Sequence, residues 1–207
     1  MKRRAFTLFE LMVVVIVMGI LMAMALPRME RDNRQEAADH ILSAIQYTQQ
    51  LALVDNKTST DNNWQMELWA IRFTVGANYE NTYYTIGTDE DNSTVISKSE
   101  AAVDPANGKY LFNTSGAFAT MSKDESPNAF IGHNYGIDDI NFAGGCANNS
   151  HVAFDHLGRP YTGIGSATNN YRQYMTSDCN ITFSFISNDE NLTFVVEKQT
   201  GHTYIQN

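Results

Sequence analysis

Hydropathy along the chain changes character at Pro27. From Phe6 to Leu26 every position except Thr7, Glu10 and Gly19 is apolar. As a helix this run rises about 32 Å, close to a hydrocarbon core of about 30 Å, so it reads as a transmembrane helix over 6–27. From Arg28 to about Val54, Ala38, Ile41, Leu42, Ile45 and Ala52 recur at three-to-four spacing among Arg, Glu, Asp and Gln. That spacing predicts an amphipathic helix over 28–55, stopped by Asp55-Asn56 and uninterrupted by Gly or Pro. The two segments make one long helix, bent at Pro27 because proline removes a backbone donor and crowds the preceding turn.

After residue 56 the period shortens to two. WQMELWAIRFTV (Trp64 to Val75) alternates Trp69, Ile71, Phe73 and Val75 against Ala70, Arg72 and Thr74, as a half-buried strand does. TYYTIG (Thr82 to Gly87), STVISK (Ser93 to Lys98), KYLF (Lys109 to Phe112), HVAFD (His151 to Asp155), ITFSFI (Ile181 to Ile186) and LTFVVEK (Leu192 to Lys198) are further strand candidates. Many short strands without helices between them predict antiparallel sheets rather than parallel βαβ units. Residues 117–150, polar and rich in Gly and Asn, read as loop. The fold class is therefore α+β, a long N-terminal helix packed on a β-rich domain over 56–207.

Composition narrows the function classes. At 43% apolar and 11% aromatic residues the 207-residue chain is not disordered. Its formal charge is −9, and setting aside Lys2, Arg3, Arg4 and Glu10 leaves −11 from Arg28 onward. So acidic a surface disfavours polyanions, which makes nucleic acid an unlikely partner. Cys146 and Cys179 are the only cysteines, too few for a cysteine-based zinc site. Outside the cytoplasm they read as a disulfide, closing a loop whose chain entropy is worth about 3.5–4 kcal/mol; in a reducing compartment they read as two thiols.

Glu10 is the position the first segment does not explain. In a cleaved secretory signal, with Ala23-Met24-Ala25 as the cut site, a carboxylate would weaken insertion. In a plain membrane anchor it would cost about 2.5–3.5 kcal/mol at mid-membrane and serve no purpose. If the chain is cut between Ala5 and Phe6, however, the new amine lies one helical turn away, or beside the Glu10 of a neighbouring subunit. Opposite charges in low dielectric then pair, and the carboxylate marks the register of assembly.

KRRAFTLFELMVVVIVMGILMAMALP resembles the class III signal of the type IV pilins and type II secretion pseudopilins, a short basic leader followed by F-T-L-x-E and an apolar helix. The resemblance implies removal of leader residues 1–5 by a prepilin peptidase, N-methylation of Phe6, alignment of subunits by Glu10, and a helix kink at Pro27. The family usually has Gly before the cut, where this chain has Ala5. Lys2, Arg3 and Arg4 would hold the N-terminus in the cytoplasm and place the β domain in the periplasm, with one inner-membrane pass. The implied partners are other pilin subunits, the prepilin peptidase and an inner-membrane assembly platform.

Two late stretches sharpen the resemblance. Phe154-Asp155-His156-Leu157-Gly158-Arg159-Pro160 is a strand running into a Gly turn, and Thr200-Gly201-His202-Thr203-Tyr204-Ile205 closes a last hairpin. Both are similar to the globular domain of H-type minor pseudopilins and FimT-like minor pilins. The expected function is structural, a minor pseudopilin of a periplasmic filament for protein secretion, with no enzymatic activity and no cofactor. The alternative is a minor type IV pilin of a pilus or DNA-uptake machine.

Other constellations are weaker. Asp89, Asp91, Ser93, the Val95 carbonyl, Ser97 and Glu100 fall at EF-hand ligand spacing. Thr94 stands where that loop wants Gly and no helix pattern flanks it, so an acidic hairpin, strand Tyr83–Gly87 to strand Thr94–Lys98, is the favoured reading and no metal is expected. His40, His133, His151, His156 and His202 have no metal-ligand spacing and read as surface or turn residues. His156 with Asp155 and Ser166 lacks a nucleophile elbow. Asn92, Asn180 and Asn191 each open an N-x-T acceptor pattern with an acidic residue two positions earlier.

Overall fold

The computed structural model describes residues 8–166, 173–187 and 190–206, with the backbone alone for 25–32 and 166. The chain forms two compact units, residues up to Glu36 and from Ala37 onward. Helix α1, Leu8–Val54, contributes to both. Pro27 lies within α1, whose helical backbone continues through it.

In the first unit α1 is apolar on every side from Leu8 to Met24 except at Glu10 and Gly19. Among the described residues no helix is long and apolar enough to cross a membrane. The membrane-spanning first half expected over 6–27 is therefore not supported by the structure. The remainder of the expected span, Phe6, Thr7 and the side chains of Ala25, Leu26 and Pro27, lies outside the described residues.

In the second unit the rest of α1 buries Ala37, Ala38, Ile41, Ala44, Ile45, Thr48 and Ala52, one face at helical period. Thr48 is tolerated there because its hydroxyl donates to the Ala44 carbonyl at 2.9 Å. The helix stops where the Asn56 side chain accepts from the Thr58 amide, turning the chain away.

Two four-stranded antiparallel sheets follow. The first holds β1 (Trp69–Thr74), β2 (Tyr83–Gly87), β4 (His151–Phe154) and β5 (Pro160–Tyr161) in the order β2-β1-β4-β5. The second holds β3 (Ile137–Gly144), β6 (Cys179–Phe185), β7 (Leu192–Val196) and β8 (Thr203–Gln206) in the order β3-β6-β7-β8. Strand β6 alternates strictly, burying Cys179, Ile181, Phe183 and Phe185. Phe183 meets Phe73 and Phe194 edge-on at 5.4 and 5.5 Å, so one core joins both sheets to the helix face.

The α+β reading holds, with corrections inside it. The strand expected from Trp64 begins only at Trp69. Residues before it fold back, so that Trp64 and Leu68 form a second small core with Ala70, Ala153, Tyr161 and Ile164. Strand β1 thus buries Ala70 on one face as well as Ile71 and Phe73 on the other, although its sequence alternates.

Residues 93–98 form no strand; within them the Ser93 amide is taken by the Asp89 and Asp91 carboxylates and the Ser97 amide by Glu100, donors that a ladder would need. KYLF makes only single bridges. The expected loop over 117–150 contains the short helix α2 (Ile131–Tyr135) and strand β3. Strand β3 buries only Ile137 and Ile140 and is held at the sheet edge by its ladder to β6, so hydropathy carries little trace of it.

Both late stretches fold as expected. After β4 the Asp155 carboxylate accepts from the amides of Leu157 and Arg159 and pairs with the Arg159 guanidinium at 2.7 Å. Gly201, at φ +65°, turns β7 into β8; a Cβ there would stand 2.2 Å from the Gly158 carbonyl oxygen. Gln49 of α1 joins the two turns, its Nε2 donating to the carbonyls of Gly158 and Thr200 at 2.9 Å each.

Candidate functional site: the exposed N-terminal helix

Fourteen large apolar side chains between Leu8 and Met24 are exposed, from 44% at Val13 to 86% at Leu8. Weighted by their exposure they amount to about eight fully exposed side chains, so covering them would be worth roughly 13–25 kcal/mol at about 1.5–3 kcal/mol each. A helix apolar on all sides is stable only among lipids or other apolar helices. Gly19 leaves open space at its Cβ position, so a neighbouring backbone can come close there.

Glu10 is exposed in the first described turn of this helix. A carboxylate at a helix N-terminus is favoured by the exposed amides and the macrodipole. The described helix on its C-terminal side is apolar as far as Met24, Gly19 aside. The expected cleavage between Ala5 and Phe6 and the methylated Phe6 amine lie outside the described residues.

Residues 1–26 match the family model described as the prokaryotic N-terminal methylation motif. The chain carries a type IV pilin-like signal. Such a motif implies a membrane-anchored precursor, prepilin-peptidase cleavage with N-methylation, and assembly with other pilin subunits. No curated protein and no solved structure matches the chain.

The remaining candidates lie in the second unit. Cys146 and Cys179 are bonded to each other with Cα atoms 5.1 Å apart. The bond closes the end of the β3–β6 ladder, where Gly144 pairs with Cys179. Asp89, Asp91 and Glu100 converge, with one carboxylate oxygen of each within 4.8 Å of the others. Of the triad considered, Asp155 is taken by Arg159 and His156 Nδ1 faces the Thr58 hydroxyl at 3.2 Å, while the Ser166 side chain lies outside the described residues.

Two histidines are not the surface residues expected. His40 lies between two tyrosines, its Nε2 2.9 Å from the Tyr84 hydroxyl and its Nδ1 3.1 Å from that of Tyr135. His151 is 8% exposed, and its Nε2 accepts from the Ile164 amide at 3.2 Å. Burial first and the Arg72 charge second lower its pKa to about 4, so it is neutral at pH 7. Its cross-strand partner is Arg72 itself. No sequence spacing could have shown this, because the pairing joins residues 79 positions apart.

Gln49 was also missed, although it left a signal. It follows Thr48 where the apolar period of the helix calls for a buried residue, and a polar pair there points to partners across the interface.

Proposed function

We propose that the chain is a structural, non-enzymatic minor pseudopilin of the H type, which joins a short periplasmic filament of a type II secretion system through its N-terminal helix. The observation that carries the reading is the exposed apolar surface from Leu8 to Met24, interrupted by Glu10 and lying within the methylation motif. The precursor sits in the inner membrane with Lys2, Arg3 and Arg4 on the cytoplasmic side and the β domain in the periplasm. Prepilin peptidase cuts after Ala5, and the assembly platform draws the methylated subunit out of the membrane. Glu10 pairs with the Phe6 amine of a neighbour, which fixes the axial step between subunits.

Support for the periplasmic placement comes from the Cys146–Cys179 bond, which belongs in an oxidising compartment. Support for the H type comes from the two antiparallel sheets and from the Gly158 and Gly201 turns that Gln49 joins.

The test is Glu10→Ala in cells carrying the rest of the machine. The variant should reach the membrane at normal abundance yet be missing from sheared or cross-linked filaments, with N-terminal mass spectrometry still showing methyl-Phe6. Normal incorporation of the variant, or a mature chain beginning elsewhere than Phe6, would overturn the proposal.

A further inference from the structure

The loop after β2 brings three carboxylates together on a chain that is already acidic. Ser93 holds two of them side by side, its amide donating to both Asp89 Oδ1 and Asp91 Oδ1 at 2.9 Å. Glu100 comes from the other end of the loop and accepts from the amides of Glu90 and Asp91. One oxygen from each of Asp89, Asp91 and Glu100 lies within 4.8 Å of the others. That is the distance two ligands can span across a calcium ion at about 2.4 Å each. Asp91 and its neighbours are open to solvent, so an ion has a way in.

Acidic clusters are common on protein surfaces without any ion, and three carboxylates alone would carry nothing. A separate observation concerns Asp89. Its side chain is 1% exposed, and its Oδ2 is buried with no hydrogen-bond donor. Leaving a carboxylate oxygen dry and unbonded costs several kcal/mol unless a proton or a cation reaches it. Arg72 acts on Asp89 through space without a hydrogen bond to it: its Nη1 donates to the Thr94 carbonyl at 2.8 Å, and its buried Nε and Nη2 have no acceptor. Burial first raises the Asp89 pKa, and the Ser93 and Thr94 amides and the Arg72 charge offset it only in part.

We infer that Asp89, Asp91 and Glu100 form a calcium site in the loop between β2 and the Gly87–Ala101 bridge. Calcium supplies the missing partner of Asp89 Oδ2, and its preference for many oxygen ligands at flexible geometry suits a loop better than magnesium does. The ion closes a stretch that lacks strand pairing and is tied to the end of α1 through the Lys57–Glu90 ion pair at 2.7 Å. The site is independent of the filament reading, and its failure would leave that reading untouched.

The test uses the full-length chain in detergent, with calcium as the probe. Thermal unfolding by circular dichroism is compared in 10 mM calcium, 10 mM magnesium, and EGTA with sodium chloride at matched ionic strength. Calcium should raise the midpoint by about 5 °C or more over EGTA if the dissociation constant is near 0.1 mM, with magnesium giving less than half of that shift. Calorimetric titration should show one saturable equivalent. Asp89→Asn and, independently, the exposed-site change Asp91→Asn should abolish the calcium shift while keeping the midpoint in EGTA within a few degrees. No saturable binding by wild type up to 10 mM calcium, or an equal shift in a folded variant, would overturn the site.

Discussion

His151 makes folding stability depend on pH in a direction and window that can be worked out. In the folded chain it is 8% exposed, accepts the Ile164 amide at Nε2 and lies across from Arg72. Burial first disfavours its charged form and the Arg72 cation does so second, so its pKa falls to about 4, against an ordinary value of 6.5. A group with a lowered folded pKa contributes stability that is fully present above the unfolded value and is lost as pH falls toward the folded one. From pH 7 to pH 5 the loss from this residue is about 2 kcal/mol, and it approaches about 3 kcal/mol below pH 4, at about 1.4 kcal/mol per pKa unit.

Other groups titrate in the same window, so the measurement is a difference. Urea unfolding midpoints at pH 7.0 and 5.0 are compared for wild type and His151→Gln, whose side-chain carbonyl can still accept from Ile164 but carries no titrating proton. Wild type should lose about 2 kcal/mol more than the variant between the two values, at unchanged denaturant slope. Equal losses in the two proteins would refute the neutral, buried histidine.

Further consequences follow from the second unit. Reducing the Cys146–Cys179 bond, or replacing both cysteines by Ser, should lower unfolding stability by about 3–4 kcal/mol in urea titrations, while β-sheet circular dichroism at low denaturant persists. Gln49→Ala should cost about 1–3 kcal/mol, because the carbonyls of Gly158 and Thr200 both lose its Nε2. Hydrogen exchange should then rise at the 155–159 and 197–202 turns and leave the β6 amides protected; unchanged exchange at the turns would show that Gln49 does not hold them.

How legible each element was depended on which force holds it. Helix face 38–52, strands β2, β4, β6 and β7, and the turns at Gly158 and Gly201 are carried by apolar periodicity or by backbone angles that favour glycine. Those signals are local and survive in the bare residue order. Strand β3 is carried by its ladder to β6, whose members lie some forty residues away in the chain, and so IDDINFAG passed as loop. The segment at 93–98 has strand-like residues, but neighbouring carboxylates capture backbone donors in it, Asp89 and Asp91 that of Ser93 and Glu100 that of Ser97. For the candidate assembly surface the order was reversed: the F-T-L-x-E opening and the misplaced charge of Glu10 were visible at once, since an uninterrupted apolar run states its environment without a fold.

By itself, then, the residue order determined a basic leader, an apolar helix bearing one acidic position, an amphipathic continuation and an antiparallel β domain, because hydrophobic spacing and local turn chemistry need no distant partner. Only the tertiary structure decided that His151 is buried beside Arg72, that Gln49 joins two turns, and that Asp89, Asp91 and Glu100 meet while Asp89 Oδ2 is buried without a donor. Each of these depends on dielectric and geometry at a point where distant segments converge, and burial changes the energy of a charge more than any neighbour in sequence does.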